Sequence, residues 1–236
     1  MHNDPFGLAI SEYYKGDKKA SITVNSSITQ DEQIKVSTLY RTYRGMPEME
    51  KVALDLAKGK ILDIGAGSGA HTLVLQKRKL EVTALDISKG ACETMSKRGI
   101  QKVVHSDILE YKEAGFDTLL LLMNGIGIAG TLDGLDILLA HLKTLLHKGG
   151  KIYLDTTDIL YMFMQEDGSV WIDLHGAYYG ELEYEISYKE ETSKFPWLYI
   201  DYATLETHAR ALGYSCEQVV WDEDGSYLAC LEKVEG

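Results

Sequence analysis

Cysteine is scarce in this chain of 236 residues: Cys92, Cys216 and Cys230 stand far apart, and none belongs to a C-x-x-C pair. That spacing excludes a disulfide framework and a zinc knuckle, so no metal site is expected and the expected compartment is reducing. Long apolar runs are missing too. The longest, 119–123, is far too short to cross a bilayer, and Met1-His2-Asn3-Asp4-Pro5 lacks the basic and apolar segments of a secretory leader. The expectation is a soluble, cytoplasmic protein. No internal repeat or low-complexity tract interrupts it.

Basic residues run short in one region only. Residues 151–236 hold 5 Lys+Arg against 18 Asp+Glu, a net of −13 in a chain whose total is −12. An acidic face of this kind repels phosphate backbones and anionic lipids, which argues against nucleic acid or membrane as partner. A small molecule, neutral or cationic rather than anionic, fits better, although an acidic surface also serves solubility. Nothing in the composition chooses between a monomer and a homodimer.

What is present begins with K-I-L-D-I-G-A-G-S-G at 60–69. Ile61, Leu62 and Ile64 suit a buried strand, and the glycines that follow let a ligand lie against the backbone where the next helix starts. Gly65-x-Gly67-x-x-Ala70 also satisfies the looser dinucleotide fingerprint, so the motif alone points only to a nucleotide-like cofactor. Helical spacing over 47–59 precedes it. A helix from about 70 to 79, a strand over 81–85 ending on Asp86, a helix from Ser88 to about 98, and a short strand over 101–105 follow. The apolar run 117–123 breaks at Asn124-Gly125, and Leu135, Leu138, Leu139, Leu142, Leu145 and Leu146 form one helical stripe before a strand over 151–155. This rhythm predicts a parallel sheet covered on both faces.

Beyond Asp155 the rhythm fails. Residues 156–200 carry the period-two stretch 181–188, expected to form a half-exposed antiparallel strand in an insertion over the sheet's carboxyl edge. The doubly wound pattern resumes with a helix near 204–212, a strand over 215–221, and an antiparallel return over 227–234 after Asp224-Gly225. The first 30 residues show no clear period. The expectation is a single domain, divided into a cap at 1–46, a cofactor-binding core at 47–155, an insertion at 156–200 that covers the substrate, and the end of the core at 201–236.

Three acids, Asp63, Asp86 and Asp107, close three successive strands and should face one crevice, because ligands of open α/β sheets sit outside the strands' carboxyl ends. Asp86, 17 residues after Gly69, is where a carboxylate can accept both hydroxyls of a ribose. Asp107 is placed to accept from an adenine amino group, with Ile87 and Ile108 about the base. Each Asp could alternatively be an ordinary helix cap.

The chain resembles the class I S-adenosylmethionine-dependent methyltransferases through D-I-G-A-G-S-G at 63–69, L-D-I-S at 85–88, H-S-D-I at 105–108, F-D-T-L-L-L-L at 116–122 and L-L-H-K-G-G-K-I at 145–152. The resemblance, to a bacterial-type small-molecule methyltransferase, implies an α/β fold: a doubly wound, mostly parallel seven-stranded Rossmann-like sheet with a reversed last strand, an N-terminal helical cap and a β insertion after the fifth strand. It implies S-adenosylmethionine as cofactor and S-adenosylhomocysteine as product. By resemblance, Gly65, Ala66 and Gly67 approach the cofactor's methionine part, and Asp63 serves its ammonium, directly or through water. Asp86 holds the ribose and Asp107 reads the adenine amino group, with Ile87 and Ile108 placed to sandwich the base, and Met123 and Asn124 complete the expected cofactor-binding set. Arg41, ahead of Arg44, is the candidate for the carboxylate, while Tyr13 and Tyr14 could cap the cofactor or simply pack.

Other enzymes fit less well. The only Tyr-x-x-x-Lys spacing, Tyr14 to Lys18, lies ahead of the glycine loop, where hydride-transfer enzymes do not carry it. The strand that ends Met123-Asn124-Gly125 lacks the N/D-P-P-Y/F motif of exocyclic and amide nitrogen methylation, and also the paired acids of aminopropyltransferases. A cofactor-binding regulatory protein without turnover stays open. Candidates for contact with the reacting atoms are Asn124, Asp155 and His175, with Tyr161, Tyr178 and Tyr179 from the cover. Eight of 15 tyrosines fall between 153 and 202, enough for an aromatic pocket or for packing on a strand. A sulfonium donor is already activated, so a dedicated base is needed only where the acceptor must lose a hydroxyl proton.

Overall fold

The apolar runs ending at Ile64, Asp86 and Leu121 are buried on both faces, as central parallel strands require. The computed structural model describes residues 3–165, 167–171 and 176–234. In chain order the elements are α1 (Pro5–Lys15), β1 (Ser21–Ser26), β2 (Glu32–Lys35), α2 (Glu48–Leu56), β3 (Lys60–Ile64), α3 (Ala70–Lys77), β4 (Glu81–Asp86), α4 (Lys89–Lys97) and β5 (Val103–His105). They continue with β6 (Phe116–Leu121), α5 (Leu132–Leu145), β7 (Leu146–Thr157), β8 (Glu181–Tyr188), β9 (Glu191–Leu198), α6 (Tyr202–Ala211), β10 (Tyr214–Trp221) and β11 (Ser226–Lys233).

Seven strands form the main sheet in the order β10-β11-β7-β6-β3-β4-β5. The pairs β7-β6-β3-β4-β5 are parallel, and β11 runs antiparallel to both β7 and β10. Side chains alternate across it. Leu62, Ile64, Leu119, Leu121, Ile152 and Leu154 pack with the leucine stripe of α5 and with Leu205 of α6, while Ile61, Leu120 and Tyr153 pack with Ala53 and Leu54 of α2 and Leu75 of α3. Each fully buried leucine stabilises the fold by roughly 1.5–3 kcal/mol relative to exposure, and five on α5 are buried. This is the mostly parallel sheet with a reversed last strand that the motifs implied.

Two differences from the sequence reading have local causes. Strand β7 begins at Leu146 rather than at 151, because the register slips between Phe116↔Leu146 and Thr118↔Lys151 and the extra residues bulge out with Gly149 at φ 69°. The segment before residue 47 is more than a helical cap. After α1 it supplies β1 and β2, which join β8 and β9 in a second sheet of order β2-β1-β8-β9. The 156–200 insertion therefore does not cover the main sheet alone; β8 pairs antiparallel with β1 (Val24↔Ile186) across more than 150 residues of sequence. Among the described residues no helix is long and apolar enough to cross a membrane.

Candidate functional site

The turn after β3 holds Gly65, Gly67 and Gly69 at φ 68°, 56° and 80°, where side chains are strained. Their reasons for being glycine differ. Among the described residues a Cβ on Gly65 would meet nothing within 4 Å and one on Gly67 only Phe6 at 3.9 Å and Gly65 O at 4.0 Å, so both keep a bare face toward open space, whereas one on Gly69 would collide with Ile100 in the core. Gly65 and Ala66 donate their amides to Leu85 O at 2.9 and 3.1 Å, which ties the turn to the end of β4.

Asp86 sits directly beside this turn. One carboxylate oxygen accepts from Gly67 N at 2.7 Å and the other from Ser88 N at 2.8 Å, leaving lone pairs on each for further donors. Burial raises its pKa from 3.8 to about 6, against the pull of those two amides. Asp107 lies past β5, whose His105 is in register with Asp86, and its side chain accepts from Leu109 N at 2.8 Å. Ile87 is 69% exposed at this rim, but Ile108 is only 7% exposed and belongs to the main core. Of the two isoleucines expected about the base, Ile87 is thus open to solvent while Ile108 is packed into the core.

Asp63 is 1% exposed and one of its carboxylate oxygens accepts a 2.5 Å hydrogen bond from Thr72 Oγ1 on α3, which ties the end of β3 to the helix beneath the turn. Around it lies a buried polar cluster. Arg41 pairs with Glu50, and Glu50 meets His71 Nε2 at 2.8 Å. Burial holds the His71 pKa below its ordinary value despite the nearby Asp63 and Asp155 charges, so the contact to Glu50 is a hydrogen bond donated by a neutral ring. Among the described residues Arg41 Nε is buried without a hydrogen-bond partner. Arg44 is exposed and takes no part.

Across the cleft, Met123 and Asn124 follow β6 with φ of 60° and 56°, two successive non-glycine residues in the left-handed region. Asp155, at the end of β7, holds them there by accepting from Met123 N at 2.7 Å and from Asn124 N at 3.4 Å. Thr156 Oγ1 donates to Asn124 Oδ1 at 2.5 Å, and Asn124 Nδ2 donates to Leu198 O on β9 at 3.3 Å. Asp155 is thereby engaged in shaping this loop.

The N-terminal helix closes the adjacent side. Asp4 caps α1 through Gly7 N at 2.8 Å and also accepts from Ser88 Oγ at 2.8 Å and Gly90 N at 3.0 Å, fastening α1 to the start of α4. Tyr13 packs on Tyr40 with ring centroids 4.5 Å apart, and Tyr14 donates to Lys97 O, so both anchor the helix. From the cover, Tyr178 donates to Asp201 at 2.6 Å and Tyr179 to Asp158 at 2.7 Å. Both tyrosines, with Ile28, Phe163, Trp171 and Leu182, line a cavity of about 420 Å³. Tyr161 is exposed. His175 lies outside the described residues.

Asp86, Gly65, Gly67, Asp107 and Ile87 thus share one rim, with Met123 and Asn124 facing them. The polar cluster of Glu50, His71 and Thr72 was missed by sequence reasoning, since no motif joins a helix before the strand to the helix after it. Asp4 was missed although Asp-Pro before a helical run is a start signal.

A family profile described as a methyltransferase domain matches residues 61–150. No curated protein matches the chain. Among solved structures it is similar to an S-adenosylmethionine-dependent methyltransferase from Bacteroides fragilis in complex with S-adenosyl-L-homocysteine, at 38% identity and a TM-score of 0.92, covering 99% of this chain and 96% of that one. An amino pentose methyltransferase from Micromonospora echinaspora, with S-adenosylmethionine bound, matches at 18% identity and a TM-score of 0.60 over 87% of this chain and all of that one. A sugar N-methyltransferase from a Streptoalloteichus species matches at 16% identity and 0.56 over 89% and 97%. The last two share the fold.

Proposed function

The chain belongs to the S-adenosylmethionine-dependent methyltransferases, and on that footing we propose that it moves the methyl group of S-adenosylmethionine to a neutral or cationic small molecule held between the main sheet's rim and the second sheet. The observation that carries this reading is the pairing of Asp86 with Gly67 N beside the bare face of Gly65. The cofactor supplies a methyl group on a sulfonium, with a neutral thioether as leaving group.

The chain's own residues bind and orient. Asp86 accepts the ribose hydroxyls, and Ile87 gives the adenine an apolar wall beside Asp107. Arg41, whose Nε has no partner among the described residues, is assigned to the cofactor's carboxylate. Gly65, Ala66 and Gly67 offer backbone on a face that no large side chain fills, so the cofactor can lie against it. Asn124, fixed by Thr156 and Leu198, marks the place where the acceptor must align, and the cover over it excludes water. In-line placement of this kind is worth roughly 7–11 kcal/mol of barrier.

Calorimetry with S-adenosylhomocysteine tests the reading. Asp86→Ala should weaken binding by about 2–4 kcal/mol, because it removes two charge-assisted hydrogen bonds. Unchanged affinity in a folded variant contradicts the role of Asp86. NAD in place of S-adenosylhomocysteine should give no heat.

A further inference from the structure

The second sheet packs one face against α1 and the loop after Asn124, and that face carries electron-rich rings. Tyr184 lies two residues from Ile186, which is buried against Val24, Ile22 and α1, so it shares their side of the sheet. Register puts Phe195 opposite Tyr184 and Trp197 opposite Leu182, on the same side again. Tyr184 stacks on Trp197 at 5.9 Å and 21°, Phe195 meets Trp197 edge-on at 5.7 Å, and the hydroxyls of Tyr184 and Tyr199 are 2.9 Å apart. Trp197 packs so tightly on Gly127 that a Cβ there would enter its ring, which sets the box beside the loop that starts at Asn124.

One carboxylate completes the arrangement. Glu32 is in register with Val24 and therefore stands on this side of the sheet, at its exposed edge. Its charge reaches both Tyr184 and Tyr199: burial comes first in raising each phenol above its ordinary value, and the Glu32 charge adds to it. Among the described residues no cation pairs with Glu32. The six lysines and arginines that lie over aromatic rings lie over other rings than Tyr184, Phe195, Trp197 and Tyr199. Leu182, next to Tyr184 on the same face of β8, is one of the residues that line the neighbouring cavity of about 420 Å³.

Aromatic rings on one side of a sheet, with an unpaired carboxylate at that side's edge, supply the chemistry that recognises an organic cation, each accessible ring contributing about 0.5–2 kcal/mol. We propose that Tyr184, Trp197, Tyr199 and Glu32 form the acceptor site and that the acceptor is an amine, held through its nitrogen. This rests on the methyl-transfer reading above and narrows it to N-methylation. The amine loses its proton to water before transfer. Its nitrogen lone pair then forms the new N–C bond while the C–S bond of S-adenosylmethionine breaks, its electron pair staying on sulfur as the thioether. The methylated ammonium releases its remaining extra proton to solvent. With both phenols held protonated, the two tyrosines serve as neutral hydrogen-bonding partners and ring faces, and an amine needs no base from them.

The test uses the full chain loaded with S-adenosylhomocysteine and a panel of primary and secondary cyclic aliphatic and aryl amines, each paired with its hydroxyl and carboxylate isostere. Binding is read by ligand-observed NMR, and turnover is read as S-adenosylhomocysteine formed from S-adenosylmethionine. The expected result is a preference of at least about tenfold for the amine over both isosteres, lost in Glu32→Gln and in Tyr184→Leu with S-adenosylhomocysteine affinity unchanged. Glu32 is exposed on an edge strand, so its variant keeps the fold. Absence of any amine preference, or a preference that survives Glu32→Gln, overturns the proposal. Failure to bind S-adenosylhomocysteine at all instead contradicts the methyl-transfer reading.

Discussion

At the scale of single residues, Asp86 carries the heaviest demand. Its folded-state pKa, raised from 3.8 to about 6, means that the fold favours the protonated acid, so the associated stability is full below pH 3.8 and is lost as pH rises through about 6. A cofactor that donates hydroxyls to this carboxylate favours the charged form instead. Affinity for S-adenosylhomocysteine should therefore fall as pH drops below about 6, and thermal stability of the free protein should decline between pH 4 and 6.5; calorimetry and a melting series check the two slopes, and a flat affinity profile contradicts the assignment. Glu50 gives a second prediction. It is the buried partner of both Arg41 and His71, so Glu50→Gln leaves an arginine charge uncompensated and should cost about 3 kcal/mol or more, measured by urea unfolding. A loss below 1 kcal/mol would show that Arg41 finds another anion. Asp63, Asp86 and Asp107 were legible in the sequence as residues ending strands, but their orientations were not. Whether a carboxylate at a strand end faces the cleft or braces a helix depends on neighbours such as Thr72 and Ser88, and pattern alone does not place those.

At the scale of elements, the strands of the main sheet and the helix carrying the leucine stripe could be read directly, because buried parallel strands and amphipathic helices have periods visible within ten residues. The second sheet could not. β1 and β2 carry short, mixed-polarity sequences, and their partner β8 lies beyond the whole cofactor-binding half, so no local signal announces the pairing. The period-two stretch of β8 announced a strand but not its neighbour. Helix α1 is held in place by Asp4, which caps it and also accepts from Ser88 Oγ and Gly90 N on α4. Asp4→Ala should destabilise the protein by about 1–2 kcal/mol through the lost cap, and it should speed amide exchange in α1 more than in β3 or β6. Uniform exchange across all three would contradict a helix docked through this side chain.

At the scale of the whole molecule, strand order and charge act together. The order β10-β11-β7-β6-β3-β4-β5 places the ends of β3, β4 and β5 on one side of the crevice and those of β6 and β7 on the other, so residues from 63 to 155 converge although they are scattered in sequence. That convergence followed from the strand rhythm before any coordinates. The covering layer, built from both ends of the central half, did not. The 156–200 part of that layer is acidic, with 9 Asp+Glu against 2 Lys+Arg, a charge that the proposed amine acceptor would meet. The most direct measurement is a crystal structure with S-adenosylhomocysteine. The ribose hydroxyls should lie within hydrogen-bonding distance of Asp86 and the sulfur should point toward Asn124 and Trp197. A ligand bound away from the Gly65–Gly67 turn, or with its sulfur turned from the second sheet, would contradict the account.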